Sequence, residues 1–82
     1  MIAPCIFEGG VAHLDVRGLP APQPMIAILS CCAKAPPGAS LVVSLDRDPV
    51  FLYPELAEQG WVATRIAGDA GEVLLRVERV AP

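Results

Sequence analysis

Apolar and polar residues alternate through Val11-Ala12-His13-Leu14-Asp15-Val16, with Ala12, Leu14 and Val16 on one side and His13 and Asp15 on the other. A period of two predicts a half-buried strand over residues 11–16. The chain then runs Arg17-Gly18-Leu19-Pro20-Ala21-Pro22-Gln23-Pro24. Its prolines cannot donate to a ladder, so this stretch is predicted to be a loop. From Pro24 the period lengthens, and Met25, Ile28, Leu29 and Cys32 fall at helical spacing. The pattern predicts a helix over 24–35 that opens on a first-turn proline. It stops at Pro36-Pro37-Gly38, a strong breaker.

Alternation returns at residues 40–45, where Leu41, Val43 and Leu45 share a side. Asp48 before Pro49 reads as an N-cap, and residues 50–59 as a short second helix, restarted at Pro54 and ended by Gly60. Residues 61–67 and 72–80 read as two strands of a hairpin turned by Gly68-Asp69-Ala70-Gly71. The order is β-α-β-α-β-β. Strands joined through a helix run parallel with a right-handed crossover. The predicted fold is therefore α/β, an α+β two-layer sandwich: a mixed four-stranded sheet with two helices on one face and the other face open. Residues 11–82 form a single domain. Residues 1–10 are an N-terminal segment in which residues 5–8 offer an extra edge strand, turned back by Gly9-Gly10.

Composition narrows the function classes. Of 82 residues, 54% are hydrophobic and 18% charged, the balance of a folded domain and not of a disordered one. The net charge is −3 and the six basic residues are scattered, so nucleic acid is not an expected partner. No apolar run approaches the ~20 residues of a membrane span, and the first ten residues lack the charged and apolar regions of a signal peptide. A cytoplasmic location with no membrane partner is expected. Cys31 and Cys32 are adjacent, and Cα atoms ~3.8 Å apart are too close for an ordinary bridge of at least about 4.4 Å. With Cys5 they are expected to be reduced thiols.

The stretch LDVRGLPAPQPM, residues 14–25, resembles the signature of the TusA-like (SirA-like) sulfur-carrier superfamily: a strand, an Asp, a Gly, and a Cys-Pro-x-Pro that begins the first helix. Asp15, Gly18, Pro22 and Pro24 match. PPGASLVVSLDRDP, residues 36–49, is similar to the Pro-Gly turn, second strand and Asp-Pro turn of that superfamily, and the likeness extends over about residues 11–80. The superfamily's cysteine takes a persulfide, and its position here holds Ala21. The remaining pattern looks closer to an uncharacterised branch, the domain of unknown function 2249, with Asp-x-Arg, Leu-Pro and Asp-Pro-x-x-Leu-Tyr. Asp15, Arg17, Leu19, Pro20, Asp48, Pro49, Leu52 and Tyr53 fit it. A His common before that Asp-Pro is replaced by Arg47, so no role for such a His carries over.

Alanine at position 21 has no sulfur, proton or metal-binding atom, which excludes persulfide transfer there. The amides at the helix start, helped by Arg17, could hold an anion, but the favoured reading is that the prolines only set the helix entry angle. Asp15, Arg17, Gly18, Ala21, Pro22, Pro24, Arg47 and Asp48 are the candidate binding residues. His13 beside Asp15 suggests acid–base work, but no nucleophile accompanies the pair and no enzyme is expected. Cys5, His13, Cys31 and Cys32 lack chelating spacing, so neither a metal nor a cofactor is expected. Cys32 reads as core and Cys31 as its border. The first helix carries one charge, Lys34, and Ile26, Ala27 and Ala33 lie off its core stripe. An outer surface so apolar points to cover by a protein partner or a second copy. The first reading is a non-catalytic TusA-like binding or adaptor module that docks through this helix and the LPAPQP loop. The second is sulfur or thiol relay through a displaced cysteine, Cys31; the third is a small enzyme using His13 and Asp15.

Overall fold

The structure is a computed structural model that describes residues 5–68 and 70–80. The first four residues of the N-terminal segment, Asp69 of the hairpin turn and residues 81–82 lie outside the described residues. Seven elements follow one another: β1 (Phe7–Glu8), β2 (Val11–Asp15), α1 (Gln23–Lys34), β3 (Ser40–Leu45), α2 (Leu52–Glu58), β4 (Trp61–Ile66) and β5 (Val73–Arg79). They build a mixed α/β fold around one sheet in the order β1-β2-β3-β5-β4. Only β2 and β3 run parallel, as the helix between them requires.

The sheet has five strands, not the four predicted. The fifth is β1, paired antiparallel with β2 through Phe7↔Ala12 and Glu8↔Val11. Gly9 and Gly10 make the reversal at φ 61° and 82°, values that residues with a Cβ rarely adopt.

Alternation decides the layers. Ala12, Leu14 and Val16 join Leu41, Val43, Leu45, Val73, Leu75 and Val77 beneath the helices, all buried. The opposite face carries three cross-strand rows over four strands: Val11-Ser40-Glu78-Val62, His13-Val42-Arg76-Thr64 and Asp15-Ser44-Leu74-Ile66. The helices lie on one face as predicted, but α1 is rolled about its axis. Its buried residues are Ala27, Ile28, Cys31 and Cys32, while Met25 and Leu29 are only half-buried. Ala27 is thus core and not interaction surface, and Cys31 is core and not border.

Three local expectations change. Asp48 does not cap α2: Phe51 occupies the N-cap position, with no side-chain bond. No restart occurs at Pro54, because α2 begins at Leu52 and Pro54 falls in its first turn, where an N–H would have no intrahelical acceptor. Cys5 and Cys31 form a disulfide, their Cα atoms 5.6 Å apart, so only Cys32 is a free thiol. The register Phe7↔Ala12 puts Cys5, two residues before Phe7, on the helix-covered side of β1. There it meets α1.

Candidate functional site

Where parallel strands end, the chain must climb to the helical layer, and α/β folds leave their binding crevices at those carboxyl ends. Here β2 gives way to residues 16–22 and β3 to residues 46–51. Between these loops lies a cleft of about 690 Å³. Val16, Leu45 and Leu52, all buried, line its depths with the half-buried Leu19 and Met25. Pro20, Ala21, Pro22 and Pro24 form one lip; Pro49, Val50 and Phe51 form the other. Phe51 is 81% exposed and Val50 58%. Exposed apolar side chains gathered on the rim of an apolar cleft mark a surface suited to binding.

The two loops are tied at their base. Gly18 turns at φ 82° and its N–H donates to Asp46 Oδ2 at 2.6 Å. The first loop then reaches α1 through the Leu19 N–H to Val16 O, 3.3 Å, and the Gln23 N–H to Pro20 O, 2.9 Å; the Ala21–Pro22 peptide is cis. In the second loop the Val50 N–H bonds Asp48 O at 3.0 Å and the Leu52 N–H bonds Pro49 O at 2.8 Å. The Tyr53 hydroxyl donates to Asp48 Oδ1. Burial first, then that bond and the Asp48 charge, push the Tyr53 phenol up to about 12. Asp46 and Asp48 are thereby engaged, whereas Arg47 lines the cleft with no hydrogen bond or ion pair to a described residue.

The helix start is a poorer anion site than its position implies. Pro22 and Pro24 have no N–H, and the N–H groups of Gln23 and Ile26 are used by Pro20 O and Pro22 O. That leaves Met25 alone in the first turn. Arg17 does not reach the cleft either. It turns to the open face, where Nη2 and Nε contact Asp15 Oδ2 at 2.8 Å and Oδ1 at 2.9 Å, with Glu72 Oε2 3.7 Å away. Bonds from the Arg17 side chain, then its backbone N–H, hold the Asp15 carboxyl down at about 2; Arg17 is held charged in turn.

Asp15 therefore belongs with His13 to a separate hollow of about 320 Å³ on the open sheet face, lined also by Leu14, Val42, Ser44, Glu72 and Leu74, and Arg17 is bound to Asp15 beside it. Asp15 gives both oxygens to Arg17, and among the described residues no hydrogen bond joins His13 to Asp15. Among the described residues no group of three or more His, Cys, Asp or Glu could hold a metal ion. Burial pushes the Cys32 thiol up to about 11 against a small opposing effect of Arg79, far from a reactive thiolate. Of the predicted set, Gly18, Ala21, Pro22, Pro24, Arg47 and Asp48 meet at or beside the cleft; Asp15 and Arg17 do not. Phe51, Val50, Met25 and Leu19 were missed as site residues. Phe51 carried a signal, an aromatic two residues after Asp48-Pro49, but placing the helix start at residue 50 hid it.

Fold and cleft together define a small two-layer α/β protein with an apolar crevice at the carboxyl ends of its parallel strands. The chain belongs to the family described as Uncharacterized conserved protein (DUF2249), whose model matches residues 13–79. No curated protein and no solved structure matches it. Among the described residues no helix is long and apolar enough to cross a membrane.

Proposed function

We propose that this domain is a non-catalytic TusA-like binding module that docks a protein partner through the cleft, without the sulfur-carrying cysteine of that superfamily. The observation that carries this reading is the exposed Phe51 and Val50 facing the proline lip across an apolar crevice. Ala21 lines the crevice at the position where the sulfur carriers present their thiol. A scaffold of that shape, lined mainly by apolar side chains, offers burial to an apolar side chain of a partner. Arg47 on the same wall adds a charge for orientation. The α1 contribution is its first turn and Ile26, 45% exposed; Ala33 is exposed farther along with Ser30 and Lys34, so that end is a mixed surface.

The reading of relay through Cys31 has against it that Cys31 is 1% exposed and bonded to Cys5. Affinity capture from the native host tests the binding reading. Proteins held by the wild-type domain are expected to be lost from Phe51→Ser, and to be weakened by Ile26→Glu. Equal capture by wild type and Phe51→Ser would sink it. Incubation with a persulfide donor, followed by intact-mass measurement, is expected to leave the mass of the folded domain unchanged.

A further inference from the structure

The sheet treats its two edges differently. On one side β1 is two residues long, carries Glu8 and turns at once through Gly9-Gly10; short, charged edges resist pairing. On the other, β4 runs six residues, Trp61–Ile66, with three β-branched side chains and no proline, the composition of a strand that pairs on both sides. Among the described residues no backbone bonds to its outer edge.

The bonding phase of that edge can be read from one contact. The Val80 N–H donates to Gly60 O at 2.8 Å, and the register that pairs Trp61 with Arg79 continues to this pair. The Gly60 carbonyl thus faces β5, while its N–H closes the end of α2 on Ala57 O at 3.1 Å, and residues that face the partner strand alternate along an antiparallel ladder. Val62, Thr64 and Ile66 then spend their backbone groups on β5. Trp61, Ala63 and Arg65 point theirs outward.

We propose that β4 pairs antiparallel with β4 of a second copy of this chain about a two-fold axis through Ala63, joining the two sheets into one. An axis at that residue makes Ala63 a hydrogen-bonded pair with the partner's Ala63, and Trp61 with the partner's Arg65. Every outward N–H and C=O of the three residues is matched. The same register sets Val62, 47% exposed, against the partner's Thr64 on the open face, a β-branched pair. It also keeps the only charge of β4 away from its twin, since Arg65 lies opposite Trp61. The side chains of this register, Val62 against Thr64 and Arg65 against Trp61 with no like charges opposed, make the edge complementary to itself as an isologous interface requires, and a second copy is the occupant they suit. The surface lies across β3 and β5 from β2 and does not depend on the cleft.

Sedimentation velocity tests the interface. The wild-type chain is expected at twice its 8.6 kDa mass. Ala63→Pro removes only an outward N–H and leaves the β5 ladder whole, so it is expected to sediment as a folded monomer with an unchanged circular dichroism spectrum. Should that variant unfold, Ala63→Cys decides: Cα atoms about 5.5 Å apart in a hydrogen-bonded pair lie within disulfide reach. Mild oxidation is then expected to give a covalent dimer, which Ala57→Cys on the exposed face of α2 does not. A wild-type monomer at all concentrations, a dimer that survives Ala63→Pro, or equal cross-linking from both cysteine variants overturns the proposal.

Discussion

Asp15 and Arg17 show how far an exposed pair can be trusted to matter. The carboxyl sits at about 2 in the folded chain, below the unfolded value of about 3.9. A depressed value favours the folded state above the unfolded pKa, and the benefit fades as pH falls through about 2. Both side chains are half exposed, 56% and 49%, so solvent screening keeps the effect on stability small. The titration itself is the sharper observable. In Arg17→Ala the Asp15 midpoint, followed by NMR, is expected to rise into the ordinary carboxylate range; an unmoved midpoint would mean that Arg17 is not its partner. Thiol chemistry gives a second residue-level test. Cys32 is 2% exposed with its thiol pushed up to about 11, so the folded wild type is expected to take up no alkylating label at pH 8. Ala21→Cys, with its thiol on the exposed lip, is expected to label rapidly. Uptake by the wild type at a similar rate would refute the burial of Cys32.

Among the elements, β1 depends most on a single bond. Two residues of pairing hold little by themselves, and the Cys5–Cys31 disulfide joins this strand to α1. A bridge across a sequence separation of 26 constrains the unfolded chain by roughly 3.5 kcal/mol on the loop-entropy model. Cys5→Ser is therefore expected to lower stability by a few kcal/mol in chemical denaturation, with amide exchange of β1 accelerated more than that of β3. Equal stability of the two proteins would place the bridge outside the folding balance. Pro54 makes the opposite case: it sits where α2 needs no donor, so Pro54→Ala is expected to change stability by well under 1 kcal/mol.

At the scale of the molecule, one continuous core carries the stability. Leu41, Val43, Leu75 and Val77 on the central strands are fully buried beneath Ile28 of α1 and Leu56 of α2. A domain of this size has roughly 5–15 kcal/mol in hand, and removing a buried leucine costs about 2–5. Leu75→Ala is expected to shift the urea midpoint markedly or to unfold the domain, whereas Phe51→Ser, at a site 81% exposed, is expected to stay within about 0.5 kcal/mol of wild type. Comparable losses at both positions would mean that Phe51 is packed and not presented. This contrast also keeps the binding test clean.

The sequence by itself determined the two helices, strands β2 to β5 and the two layers. Periods of two and of helical spacing are local properties, and burial of Leu41, Val43 and Leu45 follows from alternation once a strand is given. The Asp15–Gly18–Pro22–Pro24 pattern likewise placed a loop-to-helix corner and an alanine on its lip. Only tertiary structure decided the rest. The roll of α1 buried Ala27 and Cys31 with Ile28 and Cys32, a face that packing against the sheet selects and helical spacing alone does not. Cys5 found Cys31 through a strand reversal at Gly9-Gly10, a pairing that no periodicity encodes. Arg17 was drawn to Asp15 two residues away and not to the helix start, since the strand's alternation put both on the open face. The cleft arises only where the loops after β2 and β3 come together, and its exposed Phe51 is legible only once the start of α2 is known. Local pattern sets what each segment forms; packing between distant segments sets what they present.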